Sequence, residues 1–162
     1  MKNKLERKEV MMKTRPKKLV IHQLYGYEEK NLLDIPVELL CQEIYPLCWE
    51  FIEDMLDLVY SDGPVYFKSY PFSDRNSFLI FSTFGDEITP TKDYDGPILF
   101  EEKVLVSSDD FATFSSGRLE DYYDTLATKY SDKNLESLAV YHVLYHPGKE
   151  ISVDAYSSWE VD

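Results

Sequence analysis

The sequence has no long hydrophobic run, few cysteines and few glycines, and each of these absences excludes a class of protein. None of its 162 residues belongs to an apolar run approaching the roughly 18 residues of a membrane-spanning helix. The basic start has no apolar region of a secretory signal, and two cysteines cannot form a disulfide framework. The six glycines form no glycine-rich phosphate loop. We therefore expect a cytoplasmic protein that binds no nucleotide through such a loop.

The remaining composition is typical of a globular protein. Hydrophobic residues make up 44% of the chain, charged residues 29% and aromatic residues 15%. Such proportions argue against a disordered chain, and the length suits one domain. The sequence thus predicts a single globular domain.

Charge is the most unusual property of the chain, which has a net charge of −13. Eight of the 17 basic residues lie in the first 18 positions, so residues 19–162 have a net charge of −19. We expect a basic N-terminal segment, residues 1–16, that frays or docks locally, followed by a single domain over residues 17–162. An acidic surface repels nucleic acid and anionic lipid and attracts basic proteins, although it also serves solubility alone.

Residues 35–60 have the strongest helical periodicity. We expect Asp34 to cap this helix, Pro36 to lie in its first turn, and Pro46 to kink it or to begin it anew. At 100° per residue the apolar side chains share one face: Val37, Leu40, Cys41, Ile44, Cys48, Phe51, Ile52, Met55 and Val59. The acidic side chains opposite them are Glu43, Glu50, Asp54 and Asp57.

The other elements follow from alternating patterns and turn residues. Ser115-Ser116-Gly117 opens a second helix, whose apolar stripe includes Leu119, Tyr122 and Leu126. Strands are predicted on both sides of the two helices, over residues 18–27, 65–70, 77–84, 98–106, 137–146 and 150–156. The order β-α-β-β-β-α-β-β indicates an α+β fold with a mostly antiparallel sheet.

Candidate metal-binding or nucleophilic residues are too far apart for a shared site. Cys41 and Cys48 stand about 10 Å apart on the helix, and His142 and His146 about 13 Å apart on one strand face. We interpret both cysteines as core residues and His142 as a half-buried histidine with satisfied hydrogen bonds.

The adjacent acidic pairs are no better placed, because neighbouring residues of a strand point to opposite faces. These pairs are Asp86-Glu87, Glu101-Glu102 and Asp109-Asp110. We expect no enzyme, no cofactor and no metal, and a carboxylate-based hydrolase is the third choice for the function.

The acidic side chains are the better candidates for partner binding. A purely solvated helix face is the simpler interpretation of the acidic row, and the segment Asp109-Asp110 is a rival patch. We expect the partner-binding residues among the helix row and the acidic loop and strand after it: Glu43, Glu50, Asp54, Asp57, Asp93, Asp95, Glu101 and Glu102.

Several segments of the chain resemble the YezG-like bacterial immunity proteins. The first is Ile44-Tyr45-Pro46 followed by Trp49-Glu50 in the first helix. The best match runs from residues 123–130 through 135–144 to the closing Lys-Glu-Ile-Ser-Val-Asp-Ala-Tyr of residues 149–156. The Pro-x-x-Trp of that family is displaced here, its Trp-Thr/Ser before the penultimate strand is absent, and residues 85–117 have no counterpart.

The resemblance implies an antitoxin that neutralises a nuclease toxin, and the charge of the chain agrees with this implication. We therefore expect a small acidic protein that binds and inhibits a basic protein partner, with no direct contact to nucleic acid or membrane. The alternative is a phage-type acidic mimic of nucleic acid that blocks a host defence enzyme.

Overall fold

The structure, a computed structural model, describes residues 11–30, 32, 34–55, 64–74, 78–83, 99–146 and 150–160. Its elements follow the predicted order and confirm the α+β class. The strands are β1 (Arg15–Glu29), β2 (Val65–Ser69), β3 (Phe78–Thr83), β4 (Leu99–Ser115), β5 (Leu138–Tyr145) and β6 (Ser152–Trp159). The helices are α1 (Val37–Met55) and α2 (Leu119–Lys129), and a 3-10 turn, Ser116–Arg118, precedes α2 where the prediction began the helix itself.

The six strands form one antiparallel sheet that closes into a barrel in the order β1-β3-β2-β5-β6-β4. The closing pair is β1 with β4, in which Val20 lies opposite Leu105. Both strands are longer than predicted, with 15 and 17 residues. The length of β4 permits the closure, because its first part pairs with β1 and its last part with β6.

The alternation of side chains along the strands divides the core into two clusters. Tyr66 and Phe67 are neighbours on β2, yet Tyr66 belongs to a cluster supplied only by strands and Phe67 to a larger cluster that includes both helices. All six strands contribute to the strand-only cluster. This cluster is buried without cover from a helix, as expected for the interior of a closed barrel.

Helix α1 buries the predicted face. Cys41, Ile44, Cys48 and Phe51 are at most 3% exposed, whereas the side chain of Met55 and residues 56–60 lie outside the described residues. The helix runs without interruption through the exposed Pro46. Within the described part of the chain, no helix is long and apolar enough to cross a membrane.

The start of α1 differs from the prediction. The helix begins at Val37, and the carbonyl oxygen of Pro36 accepts a hydrogen bond of 2.9 Å from the amide of Leu39. Asp34 therefore does not occupy the capping position. It lies in a turn with a φ of 66°, in the left-handed region that aspartate tolerates better than most residues.

The described part of the basic N-terminal segment is attached to the domain. The amide of Met12 donates a hydrogen bond of 3.1 Å to Thr125 of α2, and the hydroxyl of Thr14 donates one of 3.0 Å to Asp110 of β4. Strand β1 then begins at Arg15, inside the segment predicted to end at residue 16. Residues 11–16 thus contact the fold through hydrogen bonds and strand pairing.

Candidate functional site

The outer side of α1 has four exposed acidic residues, Glu43, Glu50, Glu53 and Asp54, which we call the acidic helix face. At 100° per residue these side chains fall within an arc of about 100°. Glu38 at the start of the helix is also exposed. The 19 residues of α1 thus include five acidic residues and no lysine or arginine.

The charges of the acidic helix face repel one another. Glu50 precedes Glu53 by three residues and Asp54 by four, and like charges at these spacings destabilise a helix by a few tenths of a kcal/mol per pair. Among the residues that the structure describes, neither Glu43 nor Glu50 has a salt-bridge partner. Glu43 and Glu50 therefore present negative charge that no salt bridge within the described part of the chain neutralises.

An aromatic group borders the acidic helix face. Trp49 is 39% exposed, although most tryptophans in folded proteins are largely buried. Its ring centroid lies 6.4 Å from that of Tyr45, and the Tyr45 ring contacts His146 edge-on at 5.4 Å. Tryptophan and tyrosine are enriched among the residues that dominate binding energy at protein interfaces.

The other predicted binding residues do not extend the acidic helix face within the described residues. Glu101 and Glu102 are exposed on β4, next to Lys103, which lies opposite His22 of β1. This region therefore has mixed charge, unlike α1. Asp57, Asp93 and Asp95 lie outside the described residues. The described candidates thus form two groups, one on the helix and one on the barrel.

The rival patch Asp109-Asp110 is not an acidic surface, and the interpretation of it as one is wrong. Asp109 is exposed, but Asp110 is 1% exposed and accepts hydrogen bonds from Thr14 and Lys129. The two side chains point to opposite faces of β4, as alternation requires. Only Asp109 is available to a partner.

His142 is a buried residue with two hydrogen-bonding partners. Its Nδ1 atom lies 3.1 Å from the carbonyl oxygen of Phe67, and its Nε2 atom lies 2.8 Å from the hydroxyl of Tyr123. Burial lowers the pKa of His142 from its ordinary 6.5 to about 3. The imidazole is therefore neutral near pH 7. Its hydrogen bonds are satisfied as predicted, but it is fully buried rather than half-buried. The prediction that His142 and His146 share one strand face is wrong, because His146 lies beyond the end of β5.

The two cysteines are also buried, as predicted. Cys41 and Cys48 are free thiols, and burial raises the pKa of each to about 12. The Cys48 thiol donates a weak hydrogen bond of 3.4 Å to the carbonyl oxygen of Phe81. Among the described residues, no three His, Cys, Asp or Glu side chains are grouped so that they could hold a metal ion. Asp86 and Glu87 lie outside those residues.

Local docking was one of the two predicted alternatives for the basic start of the chain, but the contact of Arg15 and Lys17 with an aromatic ring was not predicted. Lys17 of β1 places its ammonium group 4.3 Å from the centre of the Phe111 ring, and the guanidinium of Arg15 lies 5.0 Å from the same centre. These cations pack against an aromatic ring of the barrel. The apolar, β-branched-rich run Leu19-Val20-Ile21 is the local signal of this strand, but nothing in the sequence marks its extension to Arg15.

Comparison of the sequence with protein-family models and with curated proteins gave no match.

Proposed function

We propose that this protein is an immunity protein that binds a basic, nuclease-like bacterial toxin and inhibits it by stoichiometric contact. The observation that carries the proposal is the charge of α1, which has five acidic residues and no basic one. A nuclease must present cationic groups to phosphate. An inhibitor with clustered carboxylates is complementary to such a surface and associates with it rapidly.

Trp49 can slow dissociation of the complex, which exposed charge alone does not do. Exposed charges mainly accelerate encounter, whereas a large aromatic side chain that becomes buried at an interface slows dissociation. Trp49 is 39% exposed and borders the acidic helix face, so it is placed to serve as this anchor. In this proposal the carboxylates set the association rate and Trp49 sets the dissociation rate.

The distribution of charge favours an immunity protein over a mimic of nucleic acid. A mimic gains from negative charge that continues over an extended surface, as it does along a duplex. Here the acidic helix face belongs to the same small domain as a basic strand that exposes Arg15, Lys17 and Lys18. A localised acidic surface suits one cationic site on a protein partner.

The test is capture of the partner followed by measurement of its binding kinetics. The full chain is immobilised, a lysate of the native host is passed over it, and the retained protein is identified and assayed for nuclease activity with and without the chain. We expect the association rate to fall steeply as the Debye length shrinks from about 10 Å at 0.1 M salt to about 3 Å at 1 M.

Two variants with the same change of charge distinguish the acidic helix face from general acidity. Glu43→Lys with Glu50→Lys should slow association strongly. Glu120→Lys with Asp124→Lys, at exposed positions of α2, should slow it much less. Trp49→Ala should mainly speed dissociation. Equal effects of the two double variants, or a partner whose activity the chain leaves unchanged, would contradict the proposal.

A further inference from the structure

A cavity of about 230 Å³ lies beside the start of α1 and the end of β2. Apolar side chains line much of its wall, among them Leu32, Val37, Leu40 and Phe78. The polar residues that line it are Ser69, Tyr70, Ser73 and Tyr123. None of the described residues that line it is charged. The cavity is therefore suited to a neutral molecule rather than to an ion.

Ser69 gives this cavity a polar anchor. The residue is 4% exposed, and its Oγ atom has no hydrogen-bond partner among the residues that the structure describes. Buried hydroxyl groups in folded proteins nearly always have a partner. Ser69 lies beside the Tyr123 phenol, closely enough to oppose the rise in the pKa of Tyr123 that burial causes, but no hydrogen bond of regular geometry joins them. Ser69 can thus donate a hydrogen bond to a bound molecule and accept one from it.

The direction of the neighbouring hydrogen bonds determines whether the Tyr123 hydroxyl can donate or accept a further hydrogen bond. A carbonyl oxygen only accepts, so the Phe67 carbonyl requires a proton on Nδ1 of His142. A neutral His142 then has an acceptor at Nε2, and Tyr123 donates its single hydroxyl proton there. The phenolic oxygen of Tyr123 is therefore an acceptor toward any further group.

We propose that the cavity binds a small neutral molecule with an apolar body and one hydroxyl group, for which phenol is the simplest probe. A hydroxyl accepts a hydrogen bond from Ser69 and has a proton of its own to donate, which matches an acceptor such as Tyr123. The apolar body packs against Leu40 and Phe78. A cavity of roughly 150 Å³ holds benzene and drug-sized ligands occupy roughly 300–1,000 Å³, so a single ring suits the observed 230 Å³. This proposal is independent of the proposed function.

The experiment is a titration of the full, ¹⁵N-labelled chain with phenol, toluene and benzoate, followed through its amide resonances. We expect phenol to saturate one site with a Kd of about 1 mM or lower, with shifts concentrated at Leu40, Ser69 and Tyr123. Toluene, which lacks the hydroxyl, should bind roughly five- to tenfold more weakly. Benzoate should not bind, because no described residue of the cavity wall pairs with its charge.

Ser69→Ala tests the anchor directly. The substitution removes a hydroxyl without a partner, so the fold should persist and its amide spectrum should stay dispersed. The variant should lose the preference for phenol over toluene while it still binds toluene. Ser157→Ala, at a buried serine that does not line the cavity, should keep the preference. The proposal is overturned if neither phenol nor toluene saturates a site near Ser69, or if Ser69→Ala keeps the preference for phenol.

Discussion

Asp110 and Lys129 form an ion pair that connects the core to the surface. The side chain of Asp110 is 2% exposed and that of Lys129 is 46% exposed, and Nζ lies 2.5 Å from the carboxylate oxygen. The same carboxylate accepts hydrogen bonds from Thr14 and Tyr130. The N-terminal segment, β4 and the end of α2 therefore meet at one buried group.

Loss of this group should destabilise the whole domain. Asp110→Ala removes a buried charge-assisted network, so we expect the free energy of unfolding to fall by about 3 kcal/mol. Asp109→Ala, at the exposed neighbouring position, should change it by no more than about 0.5 kcal/mol. Urea unfolding of both variants measures the difference, and equal effects would show that Asp110 has no special role.

The stability of the protein should depend on pH through His142. Its pKa is about 3 in the folded protein and about 6.5 when unfolded, so the unfolded chain alone takes up this proton between those values. The free energy of unfolding should therefore decrease as the pH falls through this range, by up to about 1.4 kcal/mol per pH unit from this group. Urea unfolding of His142→Gln at several pH values should show a shallower slope.

The two faces of α1 should respond differently to truncation. Phe51 is 3% exposed and its ring centroid lies 5.1 Å from that of Tyr27, so Phe51→Ala should cost about 3–5 kcal/mol of stability. Trp49 lies on the outer side of α1, so Trp49→Ala should lower the free energy of unfolding by less than about 1 kcal/mol. Thermal or chemical unfolding of the two variants measures the difference in their loss of stability. A stable Phe51→Ala variant would be incompatible with the packing of this helix.

Gly26 lies where β1 passes close to β3. A Cβ atom there would lie 2.5 Å from both the carbonyl oxygen of Ile80 and the Cβ of Phe81. Both belong to a packed strand, so Gly26→Ala should destabilise the protein by about 1–3 kcal/mol or prevent folding. Gly117→Ala is the control, because nothing lies within 4 Å of its added Cβ. That variant should be neutral or more stable by up to about 1 kcal/mol.

The acidic helix face should reduce the stability of the free protein. Glu50→Lys replaces two like-charge spacings, to Glu53 and Asp54, with opposite charges, so we expect a gain of about 0.5–1 kcal/mol at low salt. The gain should shrink in 1 M salt, because screening removes both repulsion and attraction. Urea unfolding of Glu50→Lys at low salt and in 1 M salt measures this gain. A variant less stable than the natural protein at low salt would contradict the proposed repulsion.

The amino-acid sequence by itself determined the order of the elements and the buried side of α1. Helical periodicity placed Cys41, Ile44 and Cys48 on one face, and the packed helix buries all three. Turn residues and alternating strands likewise predicted the closing hairpin of β5 and β6. These features follow from local pattern, because a side chain's direction along a helix or strand depends on its spacing from its neighbours.

Only the tertiary structure decided which distant segments meet. The barrel closes because β1 pairs with β4, whose paired residues lie 73 to 96 positions further along the chain, and no local pattern encodes such a partner. The same closure turns the basic start of the chain into a strand and brings Thr14 to Asp110. Burial of Asp110 and the hydrogen bonds of His142 have the same origin. A polar side chain is retained in a core when a distant group satisfies it, and the fold alone supplies that group.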